Sequence, residues 1–68
     1  MKVLVAKRKG ENKLRYYNGK MFVIGKSRAV DISGNSDEVI QKYIEYLYNY
    51  LETLPSERGT IDYFVLDC

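Results

Sequence analysis

The 68-residue chain contains no histidine and only one cysteine, Cys68. An internal disulfide is therefore impossible, and zinc sites built from cysteine and histidine within one chain are excluded. Small domains usually need a disulfide, a bound metal or a partner subunit for stability, because a short chain buries only about 60% of its unfolded surface. We therefore expect a well-patterned core or self-association, predict a homodimer, and expect neither a metal nor a cofactor.

Long hydrophobic segments are also missing from the sequence. The apolar run at residues 3–6 is interrupted by Lys7, so it is too short for a signal peptide or a membrane span. A lone cysteine fits a reducing compartment, and we expect a cytoplasmic protein. The hydrophobic content of 46%, with seven tyrosines and two phenylalanines, indicates one globular domain over residues 1–68.

The charged residues are distributed unevenly along the chain. Residues 1–33 contain nine basic and two acidic residues, a net charge of +7, whereas residues 34–68 contain two basic and seven acidic residues, a net charge of −5. This asymmetry predicts an electrostatic footprint on one side of the molecule. The alternative is that the two halves neutralise each other across the folded domain.

Short runs rich in β-branched and aromatic residues predict the strands. They are KVLVAK, KLRYY, KMFVI and RAVDIS in the first half, and TIDYFVLD at the end. Asn18-Gly19 is a strong signal for a two-residue hairpin turn. The run 63–66 in the last strand is apolar at every position, which is typical of a strand covered on both faces or paired with another subunit.

A change to helical periodicity follows these strands. Asn35 or Ser36 is the predicted N-cap, and the helix is predicted to end near Leu54, just before Pro55. Its predicted apolar stripe consists of Ile40, Tyr43, Ile44, Leu47, Tyr50, Leu51 and Leu54. The predicted fold class is α+β: a small antiparallel sheet with the order β-β-β-β-α-β along the chain and one amphipathic helix packed on one face.

The tripeptide Gly25-Lys26-Ser27 is typical of the end of a phosphate-binding loop. That loop needs four residues between its glycines, but five separate Gly19 from Gly25, and most of them favour an extended chain. The residues after Ser27 alternate as in a strand and predict no helix. We therefore interpret these glycines as turns and predict no nucleotide site.

The hairpin register separates the residues of the strands into two faces. A two-residue turn at Asn18-Gly19 pairs Tyr17 with Lys20 and Arg15 with Phe22, and opposed residues share a face. One face is then predicted to be the core, with Val3, Val5, Leu14, Tyr16, Met21 and Val23. The other face is basic with interleaved rings, and its candidate binding residues are Arg8, Lys13, Arg15, Tyr17, Lys20 and Phe22.

A basic face with aromatic rings is typical of a surface that binds nucleic acid. Cations hold phosphates, and rings stack on unpaired bases. The same face is also compatible with protein contact or self-association, or with a solvated surface on which the stems of lysine and arginine cover the rings. On the helix, Tyr46 and Tyr48 lie beside the apolar stripe, either as a second contact surface or as the rim of the core.

The sequence provides little of the chemistry that enzymes need. Glu38, Glu45 and Glu52 are seven residues apart along the helix, a rise of about 10.5 Å, which is too far for a shared proton. Cys68 has no histidine to activate it. The sequence therefore predicts a non-enzymatic binding module with nucleic acid as the leading ligand. The alternative is a protein-binding inhibitor or adaptor, of the kind with which phages and mobile elements block host or defence proteins.

Overall fold

The computed structural model describes residues 1–67, so Cys68 lies outside the described residues. The elements are β1 (Lys2–Arg8), β2 (Leu14–Tyr17), β3 (Phe22–Ile24), a 3-10 turn (Lys26–Arg28), α1 (Asp37–Glu52) and β4 (Ile61–Asp67). The strands form one antiparallel sheet, and α1 lies between β3 and β4 in the chain, which confirms the predicted α+β class. Within residues 1–67, no helix has the length and apolar character needed to cross a bilayer.

Strand β1 lies inside the sheet, whose strand order is β3-β2-β1-β4. It pairs with β4 along seven residues, from Lys2 opposite Asp67 to Arg8 opposite Ile61. Its central residues, Val3, Leu4, Val5 and Ala6, are all buried. A strand that has neighbours on both edges and apolar side chains on both faces is the natural centre of so small a core.

The helix packs on the face of the sheet opposite to the predicted one. Its buried residues Ile40 and Ile44 form a cluster with Leu4 and Ile32, and half-buried Tyr17, Phe22, Tyr63 and Val65 pack against that cluster. The face predicted to be the core, with Val3 and Val5, lies on the other side of the sheet. Both valines are fully buried there, because half-buried residues of the neighbouring strands flank them.

The run RAVDIS does not form the predicted fourth strand. Its first residue belongs to the 3-10 turn, and residues 29–32 belong to no strand and do not pair in the sheet. Two main-chain bonds hold this segment: the Val30 N–H donates to the Tyr17 C=O at 3.1 Å, and the Ile32 N–H donates to the Lys2 C=O at 2.8 Å. The prediction of a strand was wrong. The apolar positions Val30 and Ile32 alternate with polar ones because both side chains pack against the core beneath α1.

The connection between β2 and β3 is a four-residue loop instead of the predicted two-residue turn. Tyr17 pairs with Phe22, and Oδ1 of Asn18 accepts hydrogen bonds from two backbone N–H groups of the loop, at 2.9 and 2.8 Å. Gly19 has a φ of +100°. The register differs from the predicted one by two residues, so the paired side chains of β2 and β3 remain on their predicted faces of the sheet. Met21, predicted on the core face, instead lies in the loop and is exposed.

The helix begins close to its predicted start. Ser36 is the N-cap, and its Oγ accepts a hydrogen bond from the Val39 N–H at 3.2 Å. Asp37 and Glu38 occupy the first turn, where the helix dipole favours negative charge. The helix ends at Glu52, two residues before the predicted end.

We predict that Gly19→Val destabilises the fold by about 1–3 kcal/mol, because a β-branched residue resists positive φ. A Cβ at this position would also lie 3.6 Å from Cγ1 of Val30. Urea unfolding measures the change. Gly34→Val is the matched control, since Gly34 is outside the positive-φ region and a Cβ there would have no heavy atom within 4 Å. Equal stability of the two variants would contradict the prediction.

Candidate functional site

Two of the predicted binding residues, Tyr17 and Phe22, belong to a ring cluster between the sheet and α1. We define the ring cluster as Tyr17, Phe22, Tyr43 and Tyr63. Ring centroids lie 5.5 Å apart for Tyr17 and Phe22, 5.6 Å for Tyr17 and Tyr43, and 5.4 Å for Phe22 and Tyr63. All four residues are half-buried, so much of each ring contacts other protein atoms instead of solvent.

The two predicted arginines are held by carboxylates. Nη1 of Arg8 donates to Oε2 of Glu57 at 2.9 Å, and its Nε lies 3.8 Å from Glu11. The second carboxylate oxygen of Glu11 lies 3.8 Å from Nη2 of Arg15. The positive charge of both arginines is therefore balanced locally, which reduces their attraction for a phosphate.

The two predicted lysines lie apart from these residues and from each other. Lys13 precedes β2, whereas Lys20 lies in the loop that follows it, so they are at opposite ends of that strand. Both side chains are exposed, and neither forms an ion pair with any residue from 1 to 67. The six predicted residues thus divide into two rings beneath the helix, two paired arginines and two separate lysines.

The two residues of the predicted second surface, Tyr46 and Tyr48, also have different surroundings. Tyr46 is 60% exposed, and its ring stacks on Tyr43 with the centroids 6.1 Å apart. Tyr48 is on the opposite flank of α1, where its ring and that of Tyr63 form a T-shaped pair with the centroids 5.3 Å apart. Its hydroxyl accepts a hydrogen bond from the Tyr63 N–H at 2.9 Å. Tyr46 therefore stays available for contact, while Tyr48 packs against β4.

A row of exposed apolar side chains runs along the flank that carries Tyr46. Tyr50, predicted to lie in the core, is instead 55% exposed, and Val39 is 54% exposed. Their spacing at positions 39, 43, 46 and 50 places these side chains on one side of the helix. We call Val39, Tyr43, Tyr46 and Tyr50 the tyrosine flank. The helical spacing of these tyrosines is visible in the sequence. The predicted core stripe is wider than the buried stripe of the structure, because it includes Tyr50.

An apolar cavity of about 180 Å³ adjoins the tyrosine flank. It lies between the first half of α1 and the sheet, and its lining consists of Leu4, Tyr17, Ile32, Asn35, Val39, Ile40 and Tyr43. Val39 and Tyr43 belong to both features, so the cavity and the flank form one continuous surface. An apolar cavity of about 150 Å³ holds a benzene-sized group, so this one has room for one large side chain.

The helix that carries the tyrosine flank is acidic. It contains Asp37, Glu38, Glu45 and Glu52 but only one base, Lys42, which gives a net charge of −3. Lys42 is itself paired with Glu38, with its Nζ 3.4 Å from the carboxylate. The exposed rings of the molecule therefore lie on an element that repels phosphates.

Burial raises the pKa of Tyr43 to about 12, and a hydrogen bond with Tyr17 contributes to the same shift. Burial also raises the pKa of Tyr63. Both hydroxyls are therefore neutral at pH 7. Among residues 1–67, no three cysteine, aspartate or glutamate side chains are grouped closely enough to hold a metal ion.

No protein-family model, curated protein or solved structure matches the chain. The function is therefore inferred from the geometry and charge of the surfaces described above.

We predict that Tyr43 makes stability fall between about pH 10 and pH 12. The tyrosine of the unfolded chain ionises first, while the folded protein keeps the proton, so unfolding becomes easier as the pH rises through this window. The contribution of the neutral hydroxyl is fully present below the lower value and lost above the higher one. Urea unfolding of the wild type and Tyr43→Phe across this range measures it, with Tyr46→Phe as the control. Parallel pH profiles for the wild type and Tyr43→Phe would show that the shift is absent.

Proposed function

We propose that the protein is a non-enzymatic binding module that recognises a protein partner through the tyrosine flank and the adjoining cavity. The observation that carries this proposal is the row formed by Val39, Tyr46 and Tyr50, each more than half exposed on one side of α1. Single exposed hydrophobic residues are ordinary, but a contiguous row of them marks a contact surface. Tyrosine is also enriched at protein interfaces.

The cavity gives such a surface an anchor point. A large apolar side chain of the partner fits into it between Leu4, Ile40 and Tyr43. Pockets of this kind concentrate the binding energy of an interface, because the inserted side chain loses much of its contact with water. The surrounding tyrosines add contact area at a low entropic cost, since each has only two rotatable side-chain bonds.

Charge supports a protein partner over a nucleic acid at this site. The exposed rings lie on a helix with a net charge of −3, whereas nine of the eleven basic residues belong to the N-terminal half of the chain. Stacking on a single strand needs rings and cations together, and here they are separated. A partner with an apolar centre and a basic rim complements this surface.

A small module of this kind acts by occupying a surface of its partner, as an inhibitor or adaptor does. Phages and mobile elements use small proteins in this way, and we extend the proposal to that role. The lone cysteine supports a reducing compartment such as the cytoplasm.

Affinity capture tests the protein-binding proposal. We expect the wild type to retain a specific protein from nuclease-treated lysate of the source organism, and Tyr46→Ser/Tyr50→Ser to bind that protein at least about tenfold more weakly. Gln41→Ser/Glu45→Ser is the matched control, because both residues are exposed on the opposite flank of the same helix. Circular dichroism confirms that each variant is folded. Equal capture by both double variants, or loss of capture on nuclease treatment, would contradict the proposal.

A second candidate function is binding of the phosphate backbone of nucleic acid. It is supported by Lys13 and Lys20, which are exposed and unpaired with acids among residues 1–67, and by the +7 charge of residues 1–33. Phosphate contacts of this kind weaken steeply with salt.

We predict for this second function that Lys13→Glu/Lys20→Glu abolishes binding of labelled oligonucleotides at low salt. The loss of each phosphate contact should also reduce the slope of the salt dependence by about one unit. Lys42→Glu, on the acidic helix, is the control. Titrations of the wild type that stay flat to high micromolar protein, with DNA and RNA, single-stranded and duplex alike, would exclude the nucleic-acid function.

A further inference from the structure

Strand β4 forms one edge of the sheet, and half of its main-chain polar groups point away from β1. The Thr60 C=O accepts a hydrogen bond from the Lys9 N–H, so even-numbered residues face β1. The Tyr63 N–H instead donates outward, to a side chain of the helix. Because the direction alternates along a strand, the outward groups are those of residues 61, 63, 65 and 67.

The side chain that meets this edge is Tyr48. Its hydroxyl accepts from the Tyr63 N–H at 2.9 Å and lies 3.5 Å from the Tyr63 C=O. One hydroxyl therefore occupies both outward main-chain groups of Tyr63, near the middle of the edge. Tyr48 is 36% exposed, so a change of its side-chain rotamer is enough to uncover them.

We propose that the β4 edge is a strand-addition site for a second copy of this chain, and that the Tyr48 hydroxyl competes with that copy for the main chain of Tyr63. Unpaired edges are templates for another strand, and proteins control them with blocking side chains. This inference goes beyond the proposed function and uses the flank of α1 opposite to the tyrosine flank.

The geometry of an antiparallel pair selects a second copy as the occupant. Two identical antiparallel strands related by a two-fold axis exchange the same hydrogen bonds in both directions, so the contact closes on itself as a dimer. In the register that overlaps residues 61–67 completely, Phe64 lies opposite Phe64 of the second copy, and Tyr63 lies opposite Val65. The two four-stranded sheets then form one continuous sheet.

The charges of β4 are compatible with this register. Asp62 lies opposite Leu66 of the second copy, and Asp67 lies opposite Ile61, so no two carboxylates are directly opposed. Like charges directly opposite each other would destabilise the pair. Residues 63–65, which form most of the apolar run, lie opposite the same three residues of the second copy, so apolar side chains meet on both faces at the centre of the pair.

Tyr48→Phe tests the competition, because it removes the hydroxyl and keeps the ring that contacts Tyr63. One hydrogen bond of this kind changes an equilibrium about two- to tenfold, and both copies must release it. We therefore expect the dimer dissociation constant, measured by sedimentation equilibrium, to fall about five- to a hundredfold. Tyr46→Phe is the control on the same helix and should match the wild type.

Amide hydrogen exchange locates the interface independently of the dissociation constant. In Tyr48→Phe we expect the amides of Tyr63 and Val65 to exchange fast in dilute solution and to become protected as the protein concentration rises. The proposal is overturned if Tyr48→Phe dimerises no more tightly than the wild type. It is also overturned if both remain monomeric at every accessible concentration, or if dimers form while these two amides stay unprotected.

Discussion

The packing of aromatic rings across β1 is the interaction on which the rest of the structure depends. The edge strands β3 and β4 are separated by three strand spacings, which is about 14 Å. The ring centroids of Phe22 and Tyr63, which belong to these two strands, are nevertheless only 5.4 Å apart. They reach each other above Ala6, whose methyl group is buried and leaves room for them. A larger side chain there would separate the rings and push α1 away from the sheet. The same packing keeps Tyr17 and Phe22 from serving as free stacking platforms.

The helix then divides its tyrosines between two tasks. Tyr46 and Tyr50 lie on the flank beside the cavity, whereas Tyr48 reaches the edge of β4 on the other side. Partner binding and self-association would therefore use separate surfaces, and a dimer would present two tyrosine flanks at once. Two linked binding surfaces raise the apparent affinity for a partner that is itself repeated or clustered.

The fold class was predictable from the sequence because periodicity marks β1, β4 and α1, and because Ser36 has the chemistry of an N-cap. The face on which α1 packs was not predictable, since β1 and β4 are apolar on both faces and the pattern does not distinguish them. Val30 and Ile32 alternate like a strand, but alternation reports burial and not pairing. For the site, Tyr46 was identified by its helical position. The ion pair of Arg8 with Glu57 joins residues 49 apart, so no local pattern reveals that this cation is neutralised.

The pairing of β1 with β4 has a consequence for the speed of folding. The paired residues are between 53 positions apart, for Arg8 and Ile61, and 65 positions apart, for Lys2 and Asp67. By contrast, β2 and β3 meet across a short loop and form a local hairpin. Closing the long loop requires a loss of chain entropy before the central strand gains its second neighbour. We therefore expect the hairpin and the helix to form early, and the pairing of β4 with β1 to complete the hydrophobic core late.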